Sequence, residues 1–150
     1  MTQRVDDFAL ASKRHYEDAE FLYSINRGVN ADHLYGFATE CALKSMVENF
    51  LGGYRQGGFV FTPAHTKLSS HMGFNRGRHS LWDEVAAYIP GDAPSEVLAI
   101  LGNDPVSDWS VSDRYSDGGH ITQPAIDRHR NGCLVVLGAV QAMAMEVRSS

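Results

Sequence analysis

Apolar side chains recur every three to four residues along three long stretches of this chain, which is the spacing of one face of an α-helix. The first stretch covers residues 6–26 and ends before Gly28. The second follows Asn30, a favoured N-cap residue, and is closed by Gly52 and Gly53. The third covers residues 124–147. We therefore predict three helices, and the short link between the first two predicts an antiparallel helical hairpin.

Two shorter helices are predicted between the second and third long ones. Ser80 is suited to cap a helix that ends before Pro90, and residues 94–101 have the pattern of another short helix. Residues 59–61 suggest one brief extended segment, which cannot build a sheet alone. We expect an all-α fold in a single domain over residues 1–150: an antiparallel bundle of four to five helices, with a long glycine-rich loop between helices 2 and 3.

The predicted loop lies in an unusual stretch, residues 49–82, which contains no Asp or Glu and holds six of the 14 glycines. Its basic residues include Arg76 and Arg78. The whole chain has a formal charge of -5, which excludes a protein that coats nucleic acid through uniform positive charge. A polyanion site must therefore be local. A long connection of this kind is typical of a binding element, and a flexible insertion without a ligand is the alternative.

The termini and cysteines indicate the compartment. The N-terminus lacks the apolar core of a signal peptide, and the longest apolar run, residues 133–144, is too short to span a bilayer. Cys41 and Cys133 both lie in apolar stretches, where we expect buried, reduced thiols. These features predict a soluble, cytoplasmic protein with no membrane partner.

No metal or cofactor motif is evident among the seven histidines, since neither HExxH nor paired CxxC spacing occurs and no phosphate-binding glycine motif is present. We predict no metal and no cofactor. His15 and His129 fall on apolar helical faces, which favours hydrogen-bonded core histidines. Glu40 either lies on an exposed edge or pairs inward with an Arg or a His.

In the absence of these motifs, the arginines and histidines are the candidate catalytic residues. Metal-independent RNA cleavage needs a histidine that exchanges a proton and a cation that stabilises the charged phosphate. Arg114 and His120 are six positions apart, and Gly118 and Gly119 permit the backbone break that would let both side chains reach one phosphate. Arg27 and His33 have the same spacing across the start of the second helix, so only location favours one pair over the other.

The chain resembles the HEPN superfamily of small helical-bundle proteins. The resemblance rests on residues 14–19, 30–44 (NADHLYGFATECALK), Leu81, Trp82, Trp109, Arg114, Tyr115 and the last helix. It implies a four- or five-helix bundle, commonly a homodimer, of the type found in toxin–antitoxin and anti-phage systems, often beside a nucleotidyltransferase partner. Many members are metal-independent ribonucleases with an Arg-x(4 to 6)-His motif near the start of the last helix, the place that Arg114 and His120 occupy here.

Two functions follow as hypotheses. The first is a toxin-type endoribonuclease in which His120 is the general acid or base and Arg114 binds the phosphate. Four further arginines would then guide the RNA backbone: Arg76, Arg78, Arg128 and Arg130. The alternative is a non-catalytic module that binds a nucleotide or a protein partner, with Arg114 bridging to a carboxylate such as Glu40 and Tyr115 packing on the bundle.

Overall fold

The structure is a computed structural model that describes residues 4–72 and 80–149. It is mostly helical, which confirms the predicted class. The α-helices of the described residues are α1 (Phe8–Ser24), α2 (Gly28–Phe50), α3 (Leu81–Ala86), α4 (Ser95–Leu98) and α5 (Gln123–Ser149). Two 3-10 helices, Ala99–Leu101 and Val111–Tyr115, lie between α4 and α5.

α1 and α2 form the predicted antiparallel pair, but their junction differs from the prediction. Asp7 caps α1 by accepting the Leu10 N–H. α1 ends where Asn26 adopts a left-handed φ of 62° and the Arg27 N–H donates to the Leu22 carbonyl. This hydrogen bond closes the turn at Arg27, so α2 begins at Gly28. The prediction of an N-cap at Asn30 is therefore wrong, because the N-cap is Arg27.

The core is built around α2, which packs against both α1 and α5. Trp82 and Trp109 are among the largest fully buried side chains. Each indole N–H has a partner, because Trp82 donates to the Ile100 carbonyl (2.8 Å) and Trp109 to the Asp32 carbonyl (3.0 Å). Cys41 and Cys133 are buried and free, as predicted.

A short β-hairpin lies within the segment predicted as a loop, so the helical fold also contains a small two-stranded sheet. β1 (Tyr54–Gln56) pairs antiparallel with β2 (Phe59–Phe61). Gly57 and Gly58 both have positive φ, 60° and 82°, which is the conformation of a two-residue hairpin turn. Because the turn is so short, the extended segment at residues 59–61 finds a partner immediately before it in the chain.

α5 is longer than the apolar run identified in the sequence. Its most apolar 18-residue window has a mean hydropathy of 1.3, and 28% of that window is buried. A helix of this length and composition can cross a membrane, but a core helix of a soluble protein meets the same criterion. The buried residues Ile126, Cys133 and Val136 lie along one side of α5 and belong to the core. The expectation of no membrane partner therefore stays a prediction.

Candidate functional site

A cavity of about 260 Å³ lies between the start of α2, the 3-10 helix Val111–Tyr115 and the loop that follows it. Most of its lining is polar or charged, and it contains one of the two predicted catalytic residues, Arg114. The lining residues are Val29, Asn30, His33, Asp113, Arg114, Ser116, Asp117 and Ile121.

Short-range hydrogen bonds hold the loop that forms one wall of the cavity. Ser116 Oγ donates to the Asp113 carbonyl (2.9 Å) and accepts the Gly118 N–H (3.1 Å). Gly118 has a φ of 79°, in the left-handed region, and a Cβ at this position would lie 2.9 Å from Val29 Cγ1. A glycine is therefore needed for the loop to close against α2.

We expect Gly118→Ala to lower the free energy of unfolding by about 1–2 kcal/mol, because alanine is strained in the left-handed region and its Cβ would press on Val29. Chemical denaturation measures the change. Gly91→Ala is the matched control, since a Cβ at Gly91 would meet nothing within 4 Å. Equal stability of the two variants would show that the loop is not constrained at Gly118.

His33 is the lining residue most suited to accept a proton. Its ring stacks on Trp109, with centroids 5.6 Å apart, and meets Phe37 edge to face at 4.8 Å. Its Nδ1 atom is buried and has no hydrogen-bond partner among the described residues. Burial lowers the pKa of His33 below its ordinary value of 6.5, and the charge of Arg114 lowers it further. The imidazole is therefore neutral near pH 7.

Arg114 is exposed and turned toward solvent and the cavity. Its guanidinium lies over the Tyr115 ring, 4.7 Å from the centroid, and forms no ion pair within the described part of the chain. The predicted bridge from Arg114 to Glu40 is wrong, because Glu40 is buried and pairs with Lys44 (3.1 Å) and His71 (3.0 Å). The predicted packing of Tyr115 on the bundle is also wrong, since Tyr115 is 79% exposed.

His120 does not line the cavity itself, but it is hydrogen-bonded to a residue that does. Its Nε2 atom is 2.9 Å from Asp113 Oδ1, and Asp113 is itself part of the cavity wall. The side chain of His120 is 58% exposed, so the imidazole remains accessible. The fold thus places His120 against Asp113, which lines the same cavity as Arg114, and adds His33 from α2.

The other predicted phosphate-binding arginines lie outside this cavity or outside the described residues. Arg128 makes a two-pronged ion pair with Asp108 (2.7 and 3.1 Å), and Arg130 does the same with Glu20 (2.7 and 2.9 Å). A phosphate would have to compete with these carboxylates. Arg76 and Arg78 belong to residues 73–79, which the structure does not describe.

Within residues 4–72 and 80–149, no group of three or more His, Cys, Asp or Glu side chains is arranged to hold a metal ion. His129 and His15 instead contact different residues and are not grouped together. His129 is hydrogen-bonded and buried in the core, as predicted, whereas His15 is half-buried with its ring 5.9 Å from that of Phe37.

No protein-family model matches this chain, and no curated protein or solved structure is significantly similar to it. The resemblance to the HEPN superfamily therefore stays a prediction, and the argument for function depends on the geometry of the cavity.

The sequence contained a signal for His33, because His33 ends the second Arg-x(5)-His match. The location along the chain favoured Arg114 and His120 as the functional pair. It could not reveal that His33, from the second match, lines the same cavity as Arg114, from the first. Asp113 carried no signal beyond its position next to Arg114.

Proposed function

We propose that the protein is a HEPN-like bundle that binds RNA and cleaves it without a metal ion at the cavity between α2 and the 3-10 helix Val111–Tyr115. One observation carries the proposal: His33 and Arg114 line the same cavity, and Asp113 in its wall holds His120. Such a reaction needs a neutral imidazole, a second imidazole paired with a carboxylate, and a guanidinium that can bind a phosphate. Within the described residues, Arg114 forms no ion pair that would compete for its guanidinium.

The reaction is an internal transesterification of the RNA backbone. His33, which is neutral, accepts the proton of a ribose 2′-hydroxyl while the 2′-oxygen forms a bond to phosphorus. The bond from phosphorus to the 5′-oxygen breaks, and His120, which is hydrogen-bonded to Asp113, donates a proton to that oxygen. Arg114 stabilises the negative charge on the phosphate oxygens. The products are a 2′,3′-cyclic phosphate and a 5′-hydroxyl.

The test is cleavage of a mixed-sequence RNA by the purified protein in the presence of a chelator. We expect His33→Asn and His120→Asn each to lower the cleavage rate by about 100-fold or more, since general acid–base catalysis contributes about 10²–10⁴ in rate. Arg114→Gln should cause a loss of similar size because the phosphate charge is no longer stabilised. The cyclic phosphate product identifies the chemistry.

Arg27→Gln is the matched control, because Arg27 belongs to the other spacing match, is exposed and does not line the cavity. It should cleave as the unaltered protein does, and 2′-O-methyl RNA should not be cleaved. If His33→Asn and His120→Asn cleave RNA at the normal rate, the proposed site is wrong.

A non-catalytic binding module is the second candidate, and the carboxylates of the cavity favour it. Asp113 and Asp117 line the cavity beside Arg114 and oppose a phosphate, whereas they can accept hydrogen bonds from the hydroxyl and amino groups of a nucleoside. A folded protein that binds a nucleoside monophosphate and cleaves no RNA would support this candidate. The homodimer, and an antitoxin or nucleotidyltransferase partner, remain proposals under either function.

A further inference from the structure

One face of the β-hairpin is aromatic and partly exposed. Strand alternation places Phe59 and Phe61 on this face and Val60, which is 3% exposed, on the opposite one. Tyr54 is the cross-strand partner of Phe61, and the backbone of Lys67 pairs with Phe61 from the other side. We define the hairpin platform as Tyr54, Phe59, Phe61, His65 and Lys67.

We propose that the hairpin platform binds single-stranded RNA, with bases stacked on its aromatic rings and a backbone phosphate on Lys67. Proteins that bind single strands without sequence preference combine exposed aromatic side chains with cations, because every base has a face that can stack. This proposal goes beyond the chemistry of the cavity and does not require cleavage.

The rings of the hairpin platform are held in place before any ligand binds. Tyr54 and Phe61 are stacked, with centroids 5.3 Å apart and planes 8° from parallel, and the Tyr54 hydroxyl is 3.0 Å from His65 Nδ1. The turn that carries His65 is closed by the hydrogen bond from the Thr62 N–H to the Thr66 carbonyl (2.9 Å). A rigid surface loses little conformational entropy when it binds a base.

Phe59 and Lys67 offer the most accessible contact. Phe59 is 46% exposed, which is high for a phenylalanine, and the Lys67 ammonium lies 3.8 Å from its ring centroid. A phosphate can reach the ammonium while the neighbouring base meets the ring. The pair thus combines the stacking surface and the cation within one nucleotide.

The segment that carries the hairpin platform has no acidic residue of its own, although carboxylates from other elements of the fold lie beside it. Residues 49–82 contain no Asp or Glu, although the whole chain is acidic. Arg55 is already paired with Glu48 and adds no free charge. Asp83 and Glu84 line a cavity together with Lys67, and neither forms an ion pair with it. Within the described residues, Lys67 therefore has no carboxylate partner and can bind a phosphate.

The hairpin platform is distant from the proposed cleavage cavity, so the two sites can be tested separately. The cavity contains His33 at the start of α2, and the hairpin packs near Val47 toward its end. At 1.5 Å per residue, these positions are about 20 Å apart along the helix axis. A variant of the hairpin platform should leave the cavity intact.

The test measures the affinity of the full chain for a fluorescent, mixed-sequence 2′-O-methyl RNA of about 12 nucleotides, which cannot be cleaved through its 2′-oxygen. We expect Phe59→Ala to weaken binding about ten-fold, because one stacked base is lost. We expect Lys67→Gln, which changes an exposed side chain, to weaken binding and to reduce the salt dependence by about one phosphate contact. Duplex RNA of the same sequence should compete poorly, because its bases are already stacked.

Leu101→Ala and Lys13→Gln are the matched controls. Leu101 is 50% exposed on the 3-10 helix Ala99–Leu101, and Lys13 is exposed on α1. Both variants should bind the oligonucleotide as the unaltered protein does. The proposal is overturned if Phe59→Ala and Lys67→Gln bind normally, or if only Arg114→Gln loses binding. It is also overturned if the unaltered protein binds no single strand at low salt.

Discussion

Gly36→Ala will destabilise this protein by about 3 kcal/mol or more, although alanine is the better helix former. Gly36 is buried in the middle of α2, and a Cβ there would lie 1.9 Å from Trp109 Cε2 and 2.3 Å from Trp109 Nε1. Trp109 is 1% exposed, and its indole N–H donates to the Asp32 carbonyl. Since the rigid ring cannot move without losing this bond, the overlap outweighs the helix-propensity gain of about 1 kcal/mol.

Urea denaturation measures this loss, and Gly138→Ala provides the control. Gly138 lies within α5, and a Cβ at that position would meet nothing within 4 Å. We expect Gly138→Ala to leave the stability unchanged or to raise it by up to about 1 kcal/mol. If Gly36→Ala behaves in the same way, Trp109 does not lie against the backbone of α2.

The same substitution should impair the cavity. The ring of His33 stacks on Trp109, so a displaced indole removes the surface that orients the imidazole. A folded Gly36→Ala protein, recovered at low temperature, should therefore lose RNA cleavage as well as stability. This result would link the packing of one glycine to the proposed chemistry.

His129→Leu has the second large expected effect, a loss of about 3–5 kcal/mol in the free energy of unfolding. His129 is 3% exposed and bridges two carboxylates, with Nδ1 2.5 Å from Asp32 Oδ1 and Nε2 2.6 Å from Asp108 Oδ1. Asp32 is 1% exposed. Leucine fills a similar volume but leaves the Asp32 carboxylate buried without this partner.

His15→Leu is the matched control, since His15 is half-buried and forms no hydrogen bond to another described residue. It should change the stability by less than about 1 kcal/mol. The double variant Asp32→Asn with His129→Leu should recover part of the loss, because the unpaired buried charge is gone. A His129→Leu protein as stable as the His15→Leu protein would contradict the bridging role.

The pH dependence of the His129→Leu effect tests the charge state of the bridge. Burial alone would lower the pKa of His129, but the hydrogen bonds to Asp32 and Asp108 outweigh it and raise the pKa above 6.5. A raised pKa stabilises the folded state fully below 6.5, and this stabilisation is lost as the pH rises through the folded value. The stability difference between the unaltered protein and His129→Leu should therefore be largest on the acid side of 6.5 and shrink at alkaline pH.

Asp108 determines how far the stabilisation by the His129 bridge extends toward acid pH. Burial alone would raise the pKa of Asp108, but the hydrogen bonds from Arg128 and His129 lower it to about 2. A lowered carboxyl pKa contributes stability above its ordinary value of 3.8, and this contribution is lost as the pH falls toward 2. A stability difference that instead grows as the pH rises above 7 would show that His129 is neutral in the fold.

The sequence pattern was sufficient for the long helices because each carries apolar residues at helical spacing. Periodic apolar residues predicted α1, α2 and α5 to within a few residues, and Ser80 correctly predicted the start of α3. Only one strand of the hairpin, residues 59–61, was predicted, because β1 and β2 are three residues each, too short for alternation to be distinguished from chance. Its usable signal was the pair Gly57 and Gly58, which suits a two-residue turn.

The sequence by itself determined the helical class, the approximate extents of the long helices and the presence of an arginine and a histidine before the last helix. These properties depend on neighbours within a few residues, so local spacing is enough to predict them. Only the tertiary structure decided that His33 and Arg114 line one cavity, that Glu40 pairs with Lys44 and His71, and that His129 bridges Asp32 and Asp108. Most of these contacts join residues that are distant in the chain, so local spacing cannot predict them.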